Sequence, residues 1–421
     1  MSTPPAQKNG EGSAARIAFR YPGFTLFQFA RFGIVAATEM QAVAVGWQIY
    51  EITRRPLDLG LVGLAQFLPS ILLFLVTGHA ADRFNRRRLV ITCYAGFSVC
   101  FALLLLLTFQ RVQSVAPIYA VLVLLGVVRA FNGPVSRAML PQLVPEEHFH
   151  NAVAWASSIF MTATILGPTL GGLIYAAARG PRAVYFVSMI SAFLAIAMVL
   201  RVRTTETNRA RPAADLSTLF TGLRYIWRER LILGAISLDL FAVLLGGAVA
   251  LLPVYAKEIL QTGPWGLGIL RSAPGVGAAI MAIAIAHRPL KRRAGATMLW
   301  CVAGFGLFTI LFGVSKNFAL SIAALFLVGA TDMVSVIVRG TLIQIATPDE
   351  MRGRVNAVDM IFIGASNELG QFESGLTAQW FGTVPAVLLG GAGAILVTAL
   401  WAWMFPQLRK VNDLTLPVRN A

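Results

Sequence analysis

Twelve apolar runs, each near the roughly 20 residues that a helix needs to cross a bilayer, dominate this 421-residue chain. The first six are Phe24–Tyr50, Leu57–His79, Leu89–Phe109, Pro117–Pro134, Val153–Ala177 and Ala183–Leu200. The next six are Leu231–Tyr255, Trp265–Ala286, Thr297–Val314, Phe318–Val338, Val355–Gln379 and Val384–Phe405. These lengths predict helices, because strands of a membrane barrel alternate with period two over about ten residues. Composition agrees: 57% of residues are hydrophobic and 13% charged, against about 25% charged in a soluble domain. A soluble enzyme, a disordered protein and a coiled coil are excluded. The expectation is an all-α membrane protein with a tail over 1–23, six spans over 24–200, a polar linker over 201–230, six more spans over 231–405 and a second tail over 406–421. The first apolar run is too long for the core of a signal peptide, so it is read as the first span.

The net charge of +16 would suggest nucleic acid in a soluble protein. Here it sorts by side. With the N-terminus inside, 25 Lys and Arg fall on inner segments and 7 on outer ones, leaving Arg31, Arg129 and Arg271 within spans. That asymmetry places both termini in the cytoplasm and removes the support for a nucleic-acid partner. The inner set includes Arg137, Arg339 and the arginine-rich linker. Trp47, Tyr50, Trp265 and Trp380 fall at outer ends, where an aromatic belt would sit.

The two sets of six spans resemble each other. Val144-Pro145-Glu146-Glu147 and Thr347-Pro348-Asp349-Glu350 stand 203 residues apart, and Leu166–Leu173 aligns with Leu369–Leu376 at the same offset. Two related six-helix halves are the parallel-repeat plan of many transporters, with the substrate site between them near the midplane. Cys93, Cys100 and Cys301 lie in apolar runs as packing residues, and the four histidines make no metal cluster, so no cofactor and no metal are expected. No phosphate-binding loop is present, so energy comes from an ion gradient or from substrate alone.

The turn after the second run, Gly78-His79-Ala80-Ala81-Asp82-Arg83-Phe84-Asn85-Arg86-Arg87-Arg88, resembles the G-x-x-x-D-R-x-x-R-R signature of the major facilitator superfamily. Arg129–Gly133 resembles that superfamily's R-x-x-Q-G motif, with Asn132 for Gln, and Gly167-Pro168-Thr169-Leu170-Gly171-Gly172 resembles the G-P-x-x-G-G motif of antiporter-type exporters. Gly46–Glu51 and Pro348–Val355 look like the branch of enterobactin exporters and transmembrane secretion effectors. The similarity covers essentially the whole chain. It implies a twelve-helix major facilitator fold in two pseudo-symmetric halves and an exporter activity. The second-half counterpart of the first signature, His287–Gly295, keeps the basic cluster and lacks the acidic residue.

Residue roles follow from the resemblance and from charge. Gly78, Asp82, Arg83, Arg86 and Arg87 are either a gating latch or a topogenic loop; Asp82 is placed on a short turn. Gly167, Pro168, Gly171 and Gly172 offer small residues at helical spacing for close helix packing. Charges inside a membrane are expensive and usually face a cavity or a partner. Those singled out for proton coupling or substrate binding are Glu39, Arg129, Asp239, Arg271, Asp332, Glu368 and Glu373. Asp359 and Arg31 are read as near the inner interface. Arg129 and Asp332, equivalent in the repeat, make an attractive cross-half pair. Burial raises the pKa of a carboxylic acid, which lets Glu39, Asp239, Glu368 or Glu373 carry a proton; the alternative for each is permanent pairing with an arginine. Glu368 is favoured because its run places it deepest.

The sequence therefore reads as a monomeric secondary transporter in a bacterial inner membrane. It exports a small organic molecule, drug-like or siderophore-type, by exchange with protons, or with sodium in their place. A lipid-like metabolite carrier, an intramembrane enzyme and a channel are the other readings.

Overall fold

The computed structural model describes residues 16–110, 114–203, 216–289 and 293–412. Among these residues the regular structure is helical, with no strands. The first half of the chain forms α1 (Pro22–Thr53), α2 (Pro56–Leu72), α3 (Phe74–Arg83), α4 (Arg86–Phe109), α5 (Ala116–Met139), α6 (Phe149–Ala177) and α7 (Arg182–Arg201). The second forms α8 (Leu216–Arg228), α9 (Arg230–Leu245), α10 (Gly263–His287), α11 (Ala294–Val314), α12 (Phe318–Ala346), α13 (Asp349–Phe381), α14 (Thr383–Met404) and the short α15 (Pro406–Lys410). Local chemistry sets the ends. Proline occupies the first turn of α1, α2, α5 and α10, where a missing N–H is harmless. Asn85 and Asn317 cap α4 and α12 by accepting from Arg88 N and Leu320 N, each at 3.1 Å.

Eleven of the twelve apolar runs map onto a helix or a helix pair, and the seventh maps onto α9 and the short turns that follow it. Nine helical segments among the described residues are long and apolar enough to cross a membrane. The three runs outside that set are α1, the α2–α3 pair and α13. Two of them carry most of the polar groups: α1 bears Arg31, Glu39 and Gln41, and α13 bears Asp359, Glu368, Gln371 and Glu373. They bring polar groups to the interior of the bundle rather than to lipid.

Two spans are interrupted. The second breaks at Leu73 (φ −96°, ψ 0°), one turn after Pro69, whose carbonyl still accepts from Leu73 N at 2.9 Å. The seventh ends as an α-helix at Leu245. Gly246 and Gly247 follow, then a 3-10 turn at Ala248–Leu251, one α-turn at Leu252–Val254 and a π-turn at Tyr255–Ile259. The break sits where this backbone packs directly on α13: a methyl group added at Gly247 would lie 2.6 Å from Gly370 O.

Several expectations need correction. Asp82 lies in the last turn of α3 rather than on a loop, and its side chain lies outside the described residues. Lys291 and Arg292 of the second basic cluster, and residues 204–215 of the linker, also lie outside them. The rest of the linker contains α8, whose buried Ile226 packs with Ile232, Ile343 and Val355. Arg339 is not a loop residue. Helix α12 continues eight residues past Val338 to Ala346, and Arg339 is buried within it. Trp47 and Tyr50 are not belt residues: they are 4% and 2% exposed, whereas Trp265 and Trp380 are exposed.

Helix α1 packs against α6 and α7, α4 against α5 and α7, and α12 against α10 and α11. The two halves of the chain meet along two helix pairs, α6 with α10 and α2 with α13. Glycines set the spacing. A methyl on Gly172 would lie 2.4 Å from Pro264 O and 2.9 Å from Gly268 Cα; one on Gly375 would lie 2.9 Å from Gly60 Cα. Gly167 and Gly171 do the same against α1, at Glu39 Cβ and Met40 Cα. The small-residue motif of α6 is thus a three-helix joint between α1, α6 and α10.

Candidate functional site

A cavity of about 90 Å³ lies where α1, α2, α5, α10 and α13 converge, next to the broken seventh span. Four of the charges singled out in the sequence line it: Glu39, Arg129, Arg271 and Glu368. Two acids and two guanidinium groups balance. Arg271 Nε is 4.0 Å from Glu39 Oε2, and Arg129 Nη1 donates to Gln66 Oε1 at 2.8 Å. Gln371 Nε2 donates to Glu368 Oε2 at 3.0 Å. The Gln41 side chain, 1% exposed, lines the same cavity, and its amide nitrogen has no hydrogen-bond partner. A buried donor left unmade costs about 1–3 kcal/mol, and this one belongs to a residue of the cavity wall. Arg129 stands near the middle of α5 and yet is exposed.

A second cavity, about 280 Å³, lies within the second half among α9, α10, α11, α12 and α13. Asp239, Asp332 and Arg339 line it. Arg339 Nη1 is 2.6 Å from Asp239 Oδ2 and 3.4 Å from Asp359 Oδ1. Asp359 is therefore tied to a buried guanidinium and is not a solvated interface residue. The expected Arg129–Asp332 pair does not form, because the two residues line different cavities. Arg31 stands apart from both, donating to Ala156 O at 3.3 Å with its guanidinium 5.4 Å from the Phe160 ring centroid. Glu373 also stands apart: its Oε1 accepts from Thr377 one turn further along α13, at 2.7 Å.

The halves are locked at the end of the bundle away from the described termini. Glu51 accepts from Trp47 Nε1 at 2.8 Å and Tyr175 Oη at 2.9 Å, and meets Lys257 Nζ at 3.4 Å. Tyr50 donates to Glu258, which also lies 3.6 Å from Arg54 Nη1. Nearer the middle, Ser272 Oγ is 2.8 Å from Thr169 Oγ1 and 2.6 Å from Ile165 O. Partly exposed ion pairs contribute only about 0–1 kcal/mol each. Toward the other end, Leu68 and Leu72 of α2, Phe160 of α6, and Ile280 and Ile283 of α10 are exposed.

At that other end, Arg86 Nη1 donates to Ala138 O at 3.0 Å and Arg87 Nε to Val199 O at 3.1 Å. Both arginines cap the last carbonyls of helices in their own half, where a cation also suits the helix dipole. Arg83 is exposed at the end of α3.

Gln41, Gln66, Gln371, Arg339 and the Glu51–Lys257 lock escaped sequence reasoning. Glutamine carries no charge to flag it. Arg339 follows the apolar run that ends at Val338 and so reads as an inner-segment residue, although Leu342, Ile343 and Ile345 continue that run.

Twelve apolar runs folded into two packed sets of helices, with polar cavities at mid-depth, define a multi-pass membrane transporter of the major facilitator fold. Solved structures agree on the fold: an inward-facing, occupied bacterial homologue of the human lysosomal transporter Spinster (TM-score 0.73, 11% identity, 92% of this chain and 98% of that one) and a D-xylose–proton symporter (0.69, 12%, 93% and 99%). The chain belongs to the transmembrane secretion effector family, whose family model matches residues 19–420. That family is one of transporters, not enzymes. Among relatives, the enterobactin exporter EntS of Shigella boydii serotype 4 is 27% identical over 384 residues, 89% of this chain and 86% of the relative. The uncharacterized MFS-type transporter YfiS of Bacillus subtilis strain 168 is 26% identical over 364 residues, 83% and 84%.

Proposed function

We propose that the chain exports a small organic molecule across the bacterial inner membrane by alternating access, in exchange for protons. The site residues are Glu39, Gln41, Arg129, Arg271 and Glu368, between an N-terminal and a C-terminal six-helix half. The observation that carries this reading is the unused Gln41 donor in a charge-balanced cavity at the junction of the halves. A neutral array of two acids, two guanidinium groups and three glutamine amides suits a polar, zwitterionic or multiply hydroxylated ligand better than a simple ion. The relatives that are enterobactin exporters support export and a siderophore-type or drug-like substrate.

The cavity volume sets a condition. About 90 Å³ holds roughly three waters, whereas drug-sized ligands occupy about 300–1,000 Å³. Substrate therefore binds only when the halves part further. The 25-to-7 charge asymmetry orients the termini toward the cytoplasm. With that orientation the lock at Glu51 and Lys257 closes the outer side and the exposed inner helix ends belong to an inward-facing form. Glu368, seated against Gly63 and bonded to Gln371, is the residue proposed to exchange a proton with the substrate.

The test is flux from proteoliposomes of purified protein, screened against drugs and siderophores that rescue growth of a pump-deficient strain. Saturable, gradient-driven flux is expected; a large unsaturable current would indicate a channel. Arg129→Ala is expected to lower flux more than about tenfold, since a charge-assisted hydrogen bond contributes about 1.5–3 kcal/mol, and Arg129→Lys to be impaired for want of the planar fork. Full activity in Arg129→Ala would remove the cavity from the transport path. Glu368→Gln is expected to transport without responding to a pH gradient, and intact coupling in that variant would move the proton elsewhere.

A further inference from the structure

An open recess of about 790 Å³ lies between the start of α4 and the end of α7. Arg87 and Arg88 line it from α4, Arg201 from the last position of α7 and Arg203 from the chain just beyond. Four guanidinium groups thus share one space with no carboxylate in its lining. Arg87 is partly spent, since it donates to Val199 O and Leu200 O and so ties α4 to the end of α7. Arg88, Arg201 and Arg203 are exposed and make no side-chain hydrogen bond or ion pair among the described residues. The neighbouring sequence does not balance them: within ten residues of these arginines the only acids are Asp82 and Glu206, against eight arginines. Helix α4 also begins here, and its N-terminal end adds to the positive field. An apolar track leads to the recess. Phe186, Phe193 and Leu200 stand seven residues apart, on one face of α7, and all three are exposed. The track is about 21 Å long, more than half of the roughly 30 Å hydrocarbon core of a bilayer. It ends at Leu200, itself a wall of the recess.

We infer that this recess binds the headgroup phosphate of an anionic phospholipid of the inner leaflet, with Arg88, Arg201 and Arg203 as its contacts. Planar guanidinium groups match phosphate oxygens in a bidentate fork, and basic pockets on the cytoplasmic side of a membrane attract such headgroups. Inorganic phosphate offers the arginines the same chemistry but leaves the track on α7 unused. Charge and exposed apolar surface meeting at Leu200 favour the lipid, whose acyl chains would follow Phe193 and Phe186. The bound phosphate bridges α4 and the chain leaving α7, beside the two bonds made by Arg87. It therefore clamps these helices where the chain passes into the linker. The inference rests on the orientation of the termini proposed above, and not on the substrate, the direction of transport or the proton.

The experiment is native mass spectrometry of delipidated full-length protein in detergent, titrated with phosphatidylglycerol or phosphatidylcholine, and with phosphatidylglycerol in competition with inorganic phosphate. No substrate is present, so a failure here is distinguishable from a failure of export. The first phosphatidylglycerol is expected to bind at least about tenfold more tightly than phosphatidylcholine, and less tightly as salt is raised. Combining Arg88→Gln, Arg201→Gln and Arg203→Gln is expected to weaken it by about tenfold or more, a change that the loss of one charge-assisted hydrogen bond already produces. Arg88→Lys keeps the charge without the fork and is expected to fall between. A control combining Arg224→Gln, Arg228→Gln and Arg409→Gln removes the same charge from exposed positions of the second half and is expected to bind as the wild type does. Should the first triple variant fold poorly, Arg88→Gln and Arg201→Gln are compared singly with Arg224→Gln, and each is expected to bind more weakly than that control. Equal losses in the two triple variants would reveal diffuse surface charge, and equal affinity for phosphatidylcholine an ordinary boundary lipid. Displacement of the lipid by an equal concentration of inorganic phosphate would reveal a free-anion site. Each of these three results overturns the inference.

Discussion

Arg339→Ala is expected to be the most destabilising single change among the polar residues of the membrane region. The guanidinium is 3% exposed and holds the Asp239 carboxylate, itself 8% exposed. Removing one member of a buried pair leaves the other charge without compensation and costs about 3–5 kcal/mol. Much of that is the penalty of stranding Asp239 and Asp359, not the worth of the contact. Two further variants separate these terms. Arg339→Lys keeps the charge but presents an ammonium in place of a planar fork, so it should recover part of the loss. Arg339→Leu combined with Asp239→Asn removes both ends of the pair and should be milder than Arg339→Ala alone. Thermal unfolding in detergent measures all three. Wild-type stability for Arg339→Ala would mean that water fills the second cavity well enough to solvate both acids.

Gly172→Leu is expected to lower transport more than about tenfold while leaving the protein folded. The position is a backbone-to-backbone contact between α6 and α10, and the atoms a side chain would meet are Pro264 O and Gly268 Cα. Neither can rotate aside. Overpacking of this kind costs typically 1–3 kcal/mol, and about 1.4 kcal/mol is a tenfold change in an equilibrium. The penalty falls on the conformation in which the halves are joined at this end, so the variant should populate the opposite conformation. Cysteines placed at Glu51 and Lys257 read the outcome, because their cross-linking should fall steeply in Gly172→Leu and less in Gly172→Ser, whose Cβ meets the same backbone atoms without the larger side chain. Equal cross-linking and equal flux in the two variants would show that the joint is ordinary packing.

Much of this molecule was legible before folding. The twelve runs became helices, one of them a pair and one broken into short turns past Leu245, because an apolar stretch of this length has few other ways to satisfy its backbone. The charges singled out inside the runs mostly face cavities, for the same energetic reason. The interruptions were harder to read. Pro69 was visible in the second run and Gly246-Gly247 in the seventh, yet whether such residues break a helix depends on what packs against them, and for Gly247 that is Gly370 of α13. Arg339 shows the opposite failure. A charged residue at the edge of an apolar run looks like the start of a loop, and only its pairing with Asp239 and Asp359 makes a buried position tolerable.

What the chain determined by itself was therefore the one-dimensional pattern: membrane residence, helical spans, the repeat, the side asymmetry of charge and the small-residue motif of α6. Those rest on hydropathy, spacing and size, which are properties of neighbours in sequence. The tertiary structure decided which charges share a space. It joined Glu39, Arg129, Arg271 and Glu368 around one cavity, sent Asp332 to another, left Glu373 with Thr377 in its own helix, and turned Trp47 and Tyr50 from lipid anchors into part of a lock. Electrostatic partnership depends on distances between residues as far apart as Asp239 and Arg339, and those distances are set by how helices rotate and pack against each other, which no periodicity along a single helix encodes.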